Sequence, residues 1–133
     1  MDMVHVFTAT GRFNSFEQMR SFIDQTYTED GDGIPSAFME EIGLRCYEPM
    51  CIEAYHSECI QGLRHLLNGS SYGEQWLSQV DVNEIADSAI CVFPPNTVSH
   101  PNNSSLKYIG GFTFVSPSAQ QAVSADRPKT GSG

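Results

Sequence analysis

The chain has 133 residues, 40% hydrophobic and 11% aromatic, with 16 acidic against 7 basic residues and a formal charge of −9. That is enough for one globular domain with its own core, and it excludes a disordered chain. No stretch approaches the roughly 20 apolar residues of a membrane span, and a charge of this sign repels nucleic acid and anionic membrane.

The start, Met1-Asp2-Met3-Val4-His5, has neither a basic n-region nor an apolar h-region, so a cytoplasmic protein is expected. Val4–Ala9 alternates as a first strand, with His5 opposite the valines as a surface or hydrogen-bonded residue. Ser15-x-x-Gln18 is a capping-box pattern opening a helix with Phe16, Met19, Phe22 and Ile23 on its buried stripe. Tyr27–Gly33 gathers Glu29, Asp30 and Asp32 with two glycines. Counted from Asp30, Pro35 falls where a calcium loop needs Gly, so a solvated acidic loop is expected instead. Pro35 is placed in the first turn of a second helix with Phe38, Met39 and Ile42 inside, Glu40 and Glu41 outside, and Gly43 as its stop.

Met50–Tyr55 reads as a strand with Cys51 and Glu53 on one face, Ile52 and Ala54 on the other. Glu58–Leu67 reads as the clearest helix, its stripe Cys59, Ile60, Leu63, Leu66 and Leu67. Ser71-Tyr72-Gly73-Glu74 predicts a capped helix carrying Trp76, Leu77 and Val80, and Asp81 caps a short one through Asp87. Ile90–Phe93 is a buried strand ended by Pro94-Pro95, and Asn96–Ser105 an exposed polar loop. Leu106–Val115 is the most strand-like run of all. It is expected to be central, beside Val4–Ala9 and Ala89–Phe93. Its Leu106, Tyr108, Phe112 and Phe114 share one face by spacing, and Gly110-Gly111 marks a bulge or close approach. The expected fold class is α+β: a single small domain over residues 1–115, with a mixed or mostly antiparallel sheet of about four strands packed with helices. Residues 116–133 read as a disordered tail, whose last four residues resemble a cloning remnant.

No nucleophile elbow, P-loop, zincin or dinucleotide motif is present, so no enzyme and no cofactor is expected. Cys46, Cys51, His56 and Cys59 form C-x4-C-x4-H-x2-C. The ligand types suit zinc, but the first spacing is wide for a tight knuckle, and reduced cysteines packed as small hydrophobes are the expectation.

The ordered set of segments resembles the immunity protein 22 family of bacterial polymorphic toxin systems. The resemblance begins with Val4-His5-Val6-Phe7 and Ser15-Phe16-Glu17, and continues through the acidic loop before Ile34-Pro35-Ser36. It is strongest in Ser71-Tyr72-Gly73-Glu74-Gln75-Trp76. It then runs through Ala89-Ile90-Cys91-Val92-Phe93 to Leu106-Lys107-Tyr108-Ile109-Gly110-Gly111-Phe112. This resemblance implies an antitoxin-like protein that binds a cognate toxin domain and holds it inactive; the toxins of such systems are often nucleases. Tyr72, Trp76, Tyr108 and Gly110 match as core and turn positions.

Residues 1–115 hold 15 acids and 5 bases, a formal −10, so a basic partner is favoured. The candidate partner-binding residues are Glu29, Asp30, Asp32, Glu40 and Glu41, with Asp81, Glu84 and Asp87 as a second patch. Each also fits a solvated helix face or loop. An acidic adaptor with another basic partner, or a small zinc-binding domain or enzyme built on the cysteine cluster, are the alternatives.

Overall fold

The computed structural model describes residues 1–116. Its centre is a four-stranded antiparallel sheet in the order β5-β6-β1-β8, formed by β1 (Asp2–Ala9), β5 (Ile52–Gly62), β6 (Ile85–Val92) and β8 (Lys107–Phe114). The α+β expectation holds, and the sheet is antiparallel throughout. The strand expected to be central lies at an edge, and β1 takes the middle. The tail expectation falls on residues outside the described ones, apart from Ser116.

Both faces of the sheet are covered. On one face, α1 (Phe16–Ile23) and α2 (Ala37–Ile42) bring Met19, Ile23, Phe38 and Ile42 onto Phe7, Ile52, Ile90 and Val92. On the other, α3 (Leu63–Leu66) and α4 (Gly73–Trp76) bring Leu63, Leu67, Trp76 and Val80 onto Val4, Val6, Cys91 and Phe93. Two covered faces explain why Ile90-Cys91-Val92-Phe93 is apolar at every position: alternate side chains enter opposite cores. The same alternation separates Ile52 and Ala54 from Cys51 and Tyr55, as the sequence suggests.

In β8, Val6 pairs with Gly110 but Phe7 with Tyr108, so Ile109 is an inserted residue. Gly110 takes φ +134°, which glycine tolerates best. A slip of one residue exchanges faces. Leu106 and Tyr108 therefore join the core of α1 and α2, while Ile109, Phe112 and Phe114 join the other. The glycine bulge was legible; its consequence, that the four residues do not share a face, corrects the spacing argument.

Three predicted helices are also corrected. Residues 58–62 belong to β5, whose register against β6 shifts between His56 and Gln61, leaving Cys59 and Ile60 exposed. Only Leu63–Leu66 turns helical. Ser71 does not cap α4: its amide (3.2 Å) and hydroxyl both donate to Glu53, and Tyr72 occupies the cap in the left-handed conformation (φ +59°). Asp81 caps a turn, not a helix, accepting from the Asn83 amide at 2.9 Å, and β6 starts at Ile85.

Two helix starts stand. Ser15 accepts from the Gln18 amide at 3.0 Å, and Gln18 reaches back to the amide of Asn14, not Ser15. Ser36 caps α2, which places Pro35 just outside the helix instead of within its first turn. Gly43 ends α2 with φ +62°. A small antiparallel pair, β2 (Thr26–Tyr27) with β3 (Gly33–Ile34), carries the acidic loop, and β4 (Leu44–Arg45) pairs with β7 (Thr97–Val98).

The outer side of β8 is met by side chains. The Gln79 amide group donates to Thr113 O (3.0 Å) and accepts from Thr113 N (3.3 Å). Gln75 does the same with Val115, at 3.0 and 2.8 Å.

Candidate partner-binding surface

The eight candidate acids fall into two kinds. Glu41 accepts from the amide (2.7 Å) and hydroxyl (2.9 Å) of Ser105, tying α2 to the entrance of β8. Asp87 accepts from the Gly11 amide at 2.9 Å and the Ser88 hydroxyl at 3.0 Å. Glu84 pairs with Lys107 at 3.1 Å. Asp81 shapes its own turn. The carboxylates of these four have partners within the fold.

Glu29, Asp30 and Asp32 are exposed in the β2–β3 hairpin, and Glu40 is exposed on α2. The hairpin is set by backbone bonds of Thr28 with Asp32 (2.9 Å) and Gly31 (2.9 Å), and by the Thr28 hydroxyl accepting from the Asp32 amide (3.1 Å). Among the described residues, the carboxylates of these four have no hydrogen-bond or ion-pair partner. Tyr27 (61% exposed) and Ile34 (46%) flank them.

The bases do little to neutralise this surface. Arg64 donates to the carbonyls of Val80 and Ser78, each at 2.8 Å. Arg12 lies over the Phe22 ring at 4.8 Å and donates to Ser105. Among the described residues only Arg20–Asp24 and Lys107–Glu84 form ion pairs.

A second feature escaped the sequence reading. Where β1 begins, β5 begins, and β6 and β8 end, a cleft of about 500 Å³ opens. Phe93, Phe114 and Tyr72 line it, with Pro94 and Pro95 beside them and the exposed Met50 also facing it. Tyr72 stacks on Phe114 with centroids 4.6 Å apart, and Phe93 meets Phe114 edge-on at 5.7 Å. Two carboxylates, Asp2 and Glu53, line the same space. Glu53 is held by the Tyr55 hydroxyl at 2.6 Å and by Ser71. Burial, then Glu53, pushes the Tyr55 phenol well above its ordinary range, so it remains a donor. The signal available in the sequence was Glu53 itself: strand alternation puts it on the face of Cys51, where an acid is out of place unless something binds it.

The cysteines do not assemble a site. Cys46 and Cys59 are exposed, Cys91 is buried, and His56 Nδ1 bonds the Ser88 hydroxyl at 2.9 Å. Among the described residues no three metal-ligating side chains converge. Burial pushes the Cys51 thiol up, with Glu48 and Glu53 adding to it, and burial raises Cys91 as well, so neither is a ready thiolate. No described helix is long and apolar enough to cross a membrane.

The Immunity protein 22 family model matches residues 6–114, from within β1 to the last residue of β8. The chain belongs to the immunity protein 22 family. No curated protein and no solved structure matches it. The match to immunity protein 22 takes in part of β1, all of β5, β6 and β8 and the β2–β3 hairpin, while Asp2 of the cleft and Val4 of the core lie before it.

Proposed function

We propose that the protein neutralises a cognate bacterial toxin domain by direct contact, without catalysis, in the cytoplasm of the cell that makes both. Family membership supports the immunity role. The observation that carries the contact is the β2–β3 hairpin, where Glu29, Asp30 and Asp32 stand unpaired between exposed Tyr27 and Ile34, with Glu40 on the neighbouring helix. Four carboxylates without partners among the described residues lose little on meeting a basic surface, and they raise the encounter rate with one. Tyr27 and Ile34 supply the apolar anchors that charge alone lacks. A nuclease, with its basic substrate cleft, is the toxin class this charge suits best.

The test is co-expression. The C-terminal domain encoded by the adjacent open reading frame is induced in a naive bacterium with and without this protein. Restored growth and a complex that co-purifies are expected. Toxicity that this protein fails to relieve would overturn the reading.

A further inference from the structure

The cleft at the end of the sheet has a chemistry more specific than a general acidic surface. We propose that it is a socket for one cationic side chain, arginine or lysine, projecting from the protein partner. This rests on the reading of the chain as a toxin-binding protein and names the chemistry of a contact that reading leaves open.

Four observations lead to it. The walls are aromatic and apolar: Tyr72, Phe93, Phe114, Pro94 and Met50. Such walls suit the hydrocarbon stem of a long basic side chain. Among the described residues, the charged groups of the lining are Asp2 and Glu53, and no Lys or Arg lines the cleft. An anion would be repelled, and a neutral chain would leave the carboxylates uncompensated.

Glu53 is also oriented in advance. Tyr55 and Ser71 supply three donors to its two oxygens. A carboxylate has about four acceptor sites, so one stays open for a ligand. Asp2 has no side-chain partner among the described residues. A preset carboxylate loses little freedom when a cation arrives.

The wall is fixed as well. Tyr72 is one of two non-glycine residues with positive φ among those described, and its ring is locked on Phe114. Backbone held in a sparsely populated region persists where surrounding contacts over-determine it, and such positions gather at binding sites. Met50, 88% exposed, adds an apolar contact at the surface that a free small cation would not use but a protein surface would.

The experiment is an amide-resolved NMR titration of the full chain with N-acetyl-arginine amide, N-acetyl-lysine amide and N-acetyl-citrulline amide. Citrulline keeps the shape of arginine and removes the charge. Saturable shifts at the Glu53, Ser71 and Tyr72 amides are expected with arginine or lysine, in the millimolar range typical of a single side chain. Citrulline is expected to give none. Glu53→Gln should weaken the response about tenfold, the usual effect of losing a charge-assisted bond. Should that variant fail to fold, Asp2→Asn and the citrulline arm still decide. Silence at these amides, or an equal response to citrulline, overturns the socket.

The two readings fail separately. Growth rescue with no cation response leaves the immunity role and removes the socket. A cation response without rescue removes the toxin as the occupant. With both in hand, Glu53→Gln should speed dissociation of the toxin complex about tenfold, and an unchanged rate would overturn the assignment.

Discussion

The two ends of the central sheet use their acids differently. At one end, where β1 finishes and β6 and β8 start, Asp87 holds the Gly11 amide, Glu84 meets Lys107, and Glu41 clasps Ser105. At the other, about 20 Å along the strands, Asp2 and Glu53 line an open cleft. At the first end each of these acids has its partners within the fold; at the second, Glu53 is held by Tyr55 and Ser71, and Asp2 has no side-chain partner among the described residues. A net charge says nothing about that division. Only the hydrogen-bond partners do.

The comparison can be broken or sharpened in four ways. Trp76→Ala should have the largest effect, because its fully buried ring stacks on Phe112, meets Phe93 and donates to Ser71 O at 2.9 Å. A loss of about 3–5 kcal/mol in chemical denaturation is expected, and a much smaller one would mean that the cleft end is loosely packed.

Second, Glu53→Ala leaves the Tyr55 hydroxyl and Ser71 without their acceptor. It should cost about 1–3 kcal/mol in the same measurement. Asp87→Ala, at the opposite end, should cost about 1 kcal/mol and leave toxin association unchanged.

Third, the triple change of Glu29, Asp30 and Asp32 to Ser reverses that pattern. Stability should stay within about 0.5 kcal/mol. Association with the toxin at low salt, followed by stopped flow, should slow about tenfold and lose most of its salt dependence.

The smallest effect concerns His5, in the middle of the sheet, whose Nδ1 lies 2.9 Å from the Tyr108 hydroxyl. Burial holds its folded-state pKa below the ordinary 6.5. The unfolded chain therefore takes up the proton first as pH falls. The contribution is complete above 6.5 and is lost as pH drops through the lowered folded value. The fall in denaturation midpoint over that range should be shallower in His5→Asn.

The strands were the more legible because they announce themselves in β-branched and aromatic residues: β1 and β8 lie close to where those runs put them, whereas β6 begins at Ile85, inside the stretch expected to be helical. The helices were less so. Residues 58–67 have helical spacing, but the strand runs on through Gly62 before α3 begins, because β5 gains three extra residues in its register against β6 between His56 and Gln61. The pattern at Ser71 is that of a capping box; a carboxylate from residue 53 took the serine instead, a contact no local window contains. The hairpin acids were found because they stand on a loop with turn residues. The cleft was missed because its lining comes from five separate stretches of chain.

Gln75 and Gln79 have a further consequence. Their amide groups reproduce, with Val115 and Thr113, the donor-and-acceptor pairing that a fifth strand would offer. A bare strand edge is a template on which other chains can nucleate aggregates. Here that stretch of template is already occupied by two side chains of the same molecule. Growing the sheet across Thr113–Val115 would first require displacing them, so a copy waiting for its partner is protected there against self-templating.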